Sequence, residues 1–131
     1  MKTVAVRIMP DKDLFREVIR ICTEYDIEAG VILSGVGGLS KARLRVPVVD
    51  GNTRYIAPEN LEIVSMTGTV SKNGIHIHIS GSDIKGKVWG GHLKEGSTVR
   101  MTCELVLGIL DGVKFSRELD PITGYDELKI T

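Results

Sequence analysis

Asn73-Gly74-Ile75-His76-Ile77-His78-Ile79-Ser80 is the stretch on which the fold turns. Asn-Gly is a strong hairpin pair, and the alternation that follows is the period of a strand with one buried face. Ile75, Ile77 and Ile79 point to one side and His76, His78 and Ser80 to the other. Upstream, Leu61 to Ser71 is rich in β-branched residues and reads as the antiparallel neighbour, with Gly68 as a bulge candidate. Downstream, Trp89-Gly90-Gly91-His92 holds the third and last histidine of the chain. Its two glycines allow a loop to fold back beside the strand. Three neutral imidazoles from one short segment form the donor set of a zinc-type divalent ion that keeps an open coordination position. His76, His78 and His92 are therefore the candidate metal ligands. Glu62, Asp83, Glu104 or a residue of another subunit are the candidates for a fourth.

Working outward, Val4 to Met9 reads as a short strand stopped by Pro10. Asp11 offers an N-cap oxygen, and Leu14, Phe15, Val18, Ile19, Cys22 and Tyr25 recur at helical spacing to about Asp26. Gly30 opens a buried-type strand, Val31 to Ser34, that runs into Gly35-Val36-Gly37-Gly38. A dinucleotide loop is excluded there, because Ser40 stands where the third glycine would fall and strand periodicity follows instead of a helix. The glycines predict a tight turn or a close backbone approach. Lys41, Arg43 and Arg45 alternate with Ala42, Leu44 and Val46, with Arg54 as a further basic residue nearby. This is the one candidate nucleic-acid face, though no aromatic residues interleave with it to stack bases.

Beyond His92, Thr98 to Leu110 reads as a long strand with Val99, Met101, Cys103, Leu105 and Leu107 on one face. Lys114 to Leu119 is a last strand, and from about residue 120 the turn-rich tail is expected to be less ordered. At 131 residues without a linker or repeat the chain predicts one domain over 1–131. Its class is α+β, a mostly antiparallel β-sheet with one main amphipathic helix packed on it.

Composition bounds the partners. Lys+Arg and Asp+Glu both total 17, so bulk charge gives no support for a polyanion ligand. Cys22 and Cys103 lie in apolar patterns and read as free buried thiols. The N-terminus lacks a signal-peptide pattern and no apolar run approaches about 18 residues, so the expected location is cytoplasmic, with no membrane partner.

Four motifs in order, Leu33-Ser34-Gly35-Val36-Gly37-Gly38-Leu39-Ser40-Lys41-Ala42, Glu62-Ile63-Val64-Ser65-Met66-Thr67-Gly68-Thr69, His76-Ile77-His78-Ile79-Ser80 and Gly90-Gly91-His92-Leu93, resemble the plants and prokaryotes conserved (PPC) domain, from about Val4 to Tyr125. The resemblance implies a compact α+β unit that assembles into a homotrimer and acts as a DNA-binding or regulatory protein of the prokaryotic, stand-alone type. Some prokaryotic members look metal-bound at the positions of His76, His78 and His92. The chain departs from the plant form in two ways. It has no AT-hook, and the plant Gly-Arg-Phe-Glu motif is here Glu59-Asn60-Leu61-Glu62. The open coordination position supports a second reading, a small metal-dependent enzyme of hydrolase or lyase type.

Overall fold

The computed structural model describes residues 1–131. In chain order the elements are β1 (Lys2–Ile8), α1 (Leu14–Glu24), β2 (Gly30–Lys41), β3 (Leu44–Arg45), β4 (Tyr55–Ile56), β5 (Glu59–Ser71), β6 (Gly74–Ser82), β7 (Val88–Leu93), β8 (Thr98–Ile109), β9 (Phe115–Leu119) and β10 (Asp126–Ile130). Eight strands form one sheet in the order β1-β8-β2-β5-β6-β7-β3-β4, and every neighbouring pair is antiparallel. β9 and β10 form a separate antiparallel arm. The α+β expectation, one helix on a mostly antiparallel sheet, is met. No helix is long and apolar enough to cross a membrane.

α1 buries Leu14, Val18, Ile21 and Cys22, while Tyr25 stays exposed. Its N-cap is Asp13 rather than Asp11, which adopts a positive φ of 67° in the approach to the helix. Asp13 Oδ1 accepts from the Arg16 amide at 3.1 Å and Oδ2 from the Gly96 amide at 2.7 Å, so the cap also ties the helix to the turn before β8. The helix stripe meets Ile77, Ile79, Leu93, Val99, Cys103, Leu105 and Leu107 in one apolar core. Both thiols lie in it, and burial pushes each up to about 11, which keeps them protonated.

Local departures from the expected pattern have physical causes. The β5–β6 hairpin turns at Lys72 and Asn73, one residue earlier than the Asn73-Gly74 pair suggests, with Ser71 opposite Gly74. Pairing is regular through Gly68; the register shift in β5 falls between Ile63 and Ser65. Met101 does not share the core face of β8. It has a φ of 62° and sits in a bulge, where the partners of Gly37 and Gly38 jump from Cys103 to Arg100, and it is 70% exposed. The turn-rich segment after residue 120 leads into β10, which pairs with β9 from Asp126 to Ile130.

Of the two readings of the Gly35–Gly38 run, close approach is the one observed, because β2 passes through it without turning. A Cβ on Gly37 would stand 2.1 Å from the Thr102 carbonyl oxygen and 2.7 Å from Cys103 Cα, both backbone atoms of the bulge in β8. Gly37→Ala should cost about 1–3 kcal/mol through this overpacking. Exposed Lys41→Ala on the same strand should stay within about 0.5 kcal/mol. Urea denaturation of the two variants measures the difference.

Candidate metal centre

Antiparallel pairing brings the three histidines together. His78 stands directly opposite His92 on β7, and His76 lies two residues earlier on β6, on the same face. His92 thus comes from a paired strand rather than from a loop. Gly91 serves a different neighbour from the expected one, since a Cβ there would meet the Arg45 carbonyl oxygen of β3 at 2.8 Å. The ladder continues outward: Arg45 faces both His92 and Tyr55, and Thr67 and Thr69 of β5 face His78 and His76. The opposite face of β6 sends Ile77 and Ile79 into the core.

One ligand atom from each imidazole lies within 4.8 Å of the others. The Nε2 atoms of His76 and His78 are 3.1 Å apart, a hydrogen bond in which one ring donates to the other. His76 stacks on His92 with ring centroids 4.7 Å apart. Burial drives the His92 ring down to about 3, helped by the positive charges of Lys94 and Arg45. Burial likewise lowers His76, followed by His78 and Arg117, while Glu127 acts in the opposite sense. Both shifts favour the neutral imidazole, the form that coordinates a metal.

The clustered donors are the three imidazoles alone. Asp83 spends its carboxylate on a turn: Oδ2 accepts from Trp89 Nε1 at 3.0 Å, and Oδ1 from the amides of Lys85 and Lys87. Glu62 and Glu104 are exposed on β5 and β8 and stand outside the cluster.

The basic residues Lys41, Arg43 and Arg45 do not share one strand face, because the chain leaves the sheet at Ala42–Arg43 between β2 and β3. Lys41 ends β2 and is exposed. Arg43 packs its guanidinium 3.9 Å above the Tyr55 ring. Arg45 Nη2 donates to His92 Nδ1 at 3.2 Å, and its guanidinium lies 5.5 Å from the Tyr125 ring centre. Arg54 forms a surface ion pair with Asp50.

The arm supplies the part of the site that sequence reasoning missed. Phe115 at the start of β9 is buried, its amide donates to the Glu28 carbonyl, and its own carbonyl accepts from Asn73 Nδ2 at 3.0 Å. That anchorage aims Arg117 at the histidine face, where Nη2 donates to Thr69 Oγ1 at 3.2 Å. Its stem lies over Gly74, 3.0 Å from where a Cβ would be. Three cavities flank the imidazoles: one of about 380 Å³ lined by Thr67, Thr69, His76 and His78, and two of about 500 and about 510 Å³ that share Arg45, His92 and Tyr125. Of these two, the first adds Val46, Pro47, Val48 and His78; the second adds Lys94, Arg117, Asp126 and Glu127 among others.

Comparison with known proteins gives relatives across the whole chain. The bifunctional protein GlmU of Synechococcus sp. strain JA-3-3Ab is 38% identical over 130 residues, which are 99% of this chain and 21% of that protein. The chain thus spans about a fifth of the length of the curated relatives it matches. Among solved structures, a hypothetical protein from Salmonella cholerae-suis superposes with a TM-score of 0.90 at 34% identity, over 99% of this chain and 93% of that one. A metal-containing protein from Archaeoglobus fulgidus gives 0.86 at 30% identity, over 98% and 94%. A candidate DNA-binding protein from Ralstonia eutropha has the same fold, with 0.86 at 20% identity over 97% and 90%. The model of the Plants and Prokaryotes Conserved domain matches residues 1–111, and the chain belongs to that family.

Proposed function

We propose that the chain is a metal-binding module in which His76, His78 and His92 hold one zinc-type divalent ion with a coordination position left open. What supports this is the convergence of the three ring nitrogens within 4.8 Å, two of them 3.1 Å apart. An ion bound tetrahedrally at about 2.0–2.1 Å from each nitrogen spaces its ligands roughly 3.3 Å apart, so small side-chain rotations suffice. The rings come from paired strands, which limits how far they can drift. The metal-containing relative from Archaeoglobus points the same way. With no carboxylate of the chain in the cluster, the remaining position is available to a molecule from outside.

The module reading is better supported than the enzyme reading. An enzyme needs a general base within reach of the open position; Asp83 is engaged in a turn, Glu62 and Glu104 stand outside the cluster, and the acids beside the rings, Asp126 and Glu127, line the second cavity among Lys94 and Arg117. A DNA-binding role, as the resemblance implies, draws limited support from the surface. Arg43 and Arg45 are turned onto Tyr55 and His92, which leaves Lys41 as the exposed member of the three. The description of the Ralstonia protein concerns that protein.

Assembly into a homotrimer completes the reading. The resemblance supplies the number three, and the surface supplies a reason to associate. On the adjacent strands β8, β2 and β5, Met101, Val36, Val64 and Leu33 are 70%, 55%, 60% and 48% exposed. Apolar side chains gathered on the middle of a sheet mark an association surface.

Elemental analysis of protein made without a metal-affinity tag should find about one zinc or similar ion per chain, and His78→Ala should lose it on dialysis. A metal content near zero in the unaltered protein overturns the reading. Zinc at a hundredfold excess over its Kd should stabilise the fold by about 2.7 kcal/mol, seen as a rise in Tm that is absent in His92→Ala. Light scattering should give the mass of three chains, and Val64→Asp should lower it toward one.

A further inference from the structure

The contact between Arg45 and His92 is incompatible with a metal on that ring. A guanidinium can only donate, so His92 Nδ1 must present a lone pair to Arg45 Nη2, 3.2 Å away. In a neutral imidazole that coordinates a metal, Nδ1 carries either the metal itself or, when Nε2 coordinates, the proton. Neither leaves a lone pair for Arg45. Metal loading would therefore release a permanent cation beside the imidazoles.

The released guanidinium has an acceptor to find, and the two cavities that share it differ in what they offer. The second, which Arg45 also lines, contains Asp126 and Glu127 together with Lys94 and Arg117, so its carboxylates are already met by two other cations. The first contains no acidic residue. There Arg45 is unopposed, with His78 and His92 on one side and Val46, Pro47 and Val48 forming an apolar wall. Its volume, about 500 Å³, suits a small organic molecule.

We propose that this first cavity binds a small organic anion, an oxyanion on an apolar body, whose charged end is shared between the metal on the histidines and the Arg45 guanidinium. The planar fork of arginine fits a carboxylate or a phosphate through paired hydrogen bonds. The apolar end rests on Val46–Val48. The site thereby couples its two ligands: the metal both offers a coordination position and frees the arginine, so the anion binds the loaded protein and not the metal-free one.

This inference rests on the metal reading, and the two fail differently. Titration calorimetry with phenylphosphonate and with benzoate, on protein loaded with zinc and cleared of the excess, should show at least one of them binding. Binding should be at least tenfold weaker to metal-free protein. Arg45→Gln should also weaken it at least tenfold with zinc content unchanged, whereas Lys41→Gln, exposed at the end of β2 outside both cavities, should change it less than threefold. Loss of zinc itself from the unaltered protein would sink the metal reading. Full zinc occupancy with neither probe bound, or with equal affinity in Arg45→Gln, would overturn this inference and leave the metal centre standing.

Discussion

An antiparallel ladder allows no freedom in which side chains face each other, and the whole site depends on that constraint. β5, β6, β7 and β3 place Thr67, His78, His92 and Arg45 on successive strands of one rung. A slip of one residue between β6 and β7 would send His92 toward the core and leave Leu93 at the surface. The buried side chain of Leu93 opposes such a slip, because the same slip would expose it. The hydrophobic core and the imidazole cluster are thus two faces of a single register choice.

The electrostatics around the cluster follow from that placement. The half-buried rings of His76 and His92, beside Arg45, Lys94 and Arg117, gain little from protonation, and His92 stays neutral far below its ordinary range. Such surroundings are poor for an additional proton, and an anion would offset the charge of the proposed divalent ion there. On the proposal above, a pair of opposite charges rather than a lone cation relates the arginine to the histidines in one chemistry.

Much of this was legible in the residues. The alternation from Ile75 to Ile79 gave the strand, its two faces and two of the three ring positions, and the hairpin signal gave β5 as its partner. His92 was identifiable as the third ring, but its place in a strand was hidden by Gly90 and Gly91, which read as loop residues until Gly90 is seen packed against β6 and Gly91 against β3. Arg45 was legible as basic and not as inward-facing, because the break at Ala42–Arg43 carries no glycine or proline to announce it. The bulge at Met101 was equally silent: a methionine in an alternating pattern gives no sign that its backbone turns left-handed. Arg117 and Tyr125 reach the site through contacts more than forty residues apart in the chain, such as Asn73 with Phe115, and local spacing cannot encode those.

The arm formed by β9 and β10 has a bearing on how such a domain can diversify. The strands that carry the imidazoles lie within residues 1–111, the region matched by the family model, whereas Arg117, Tyr125 and Glu127 lie beyond it. The arm over the site is fastened at Phe115 and through Arg117 to Thr69, and as strands it pairs only with itself. Changes of sequence in that arm could remodel what reaches the histidines while the ladder beneath them stays as it is, so that one fixed cluster of imidazoles is open to many surroundings.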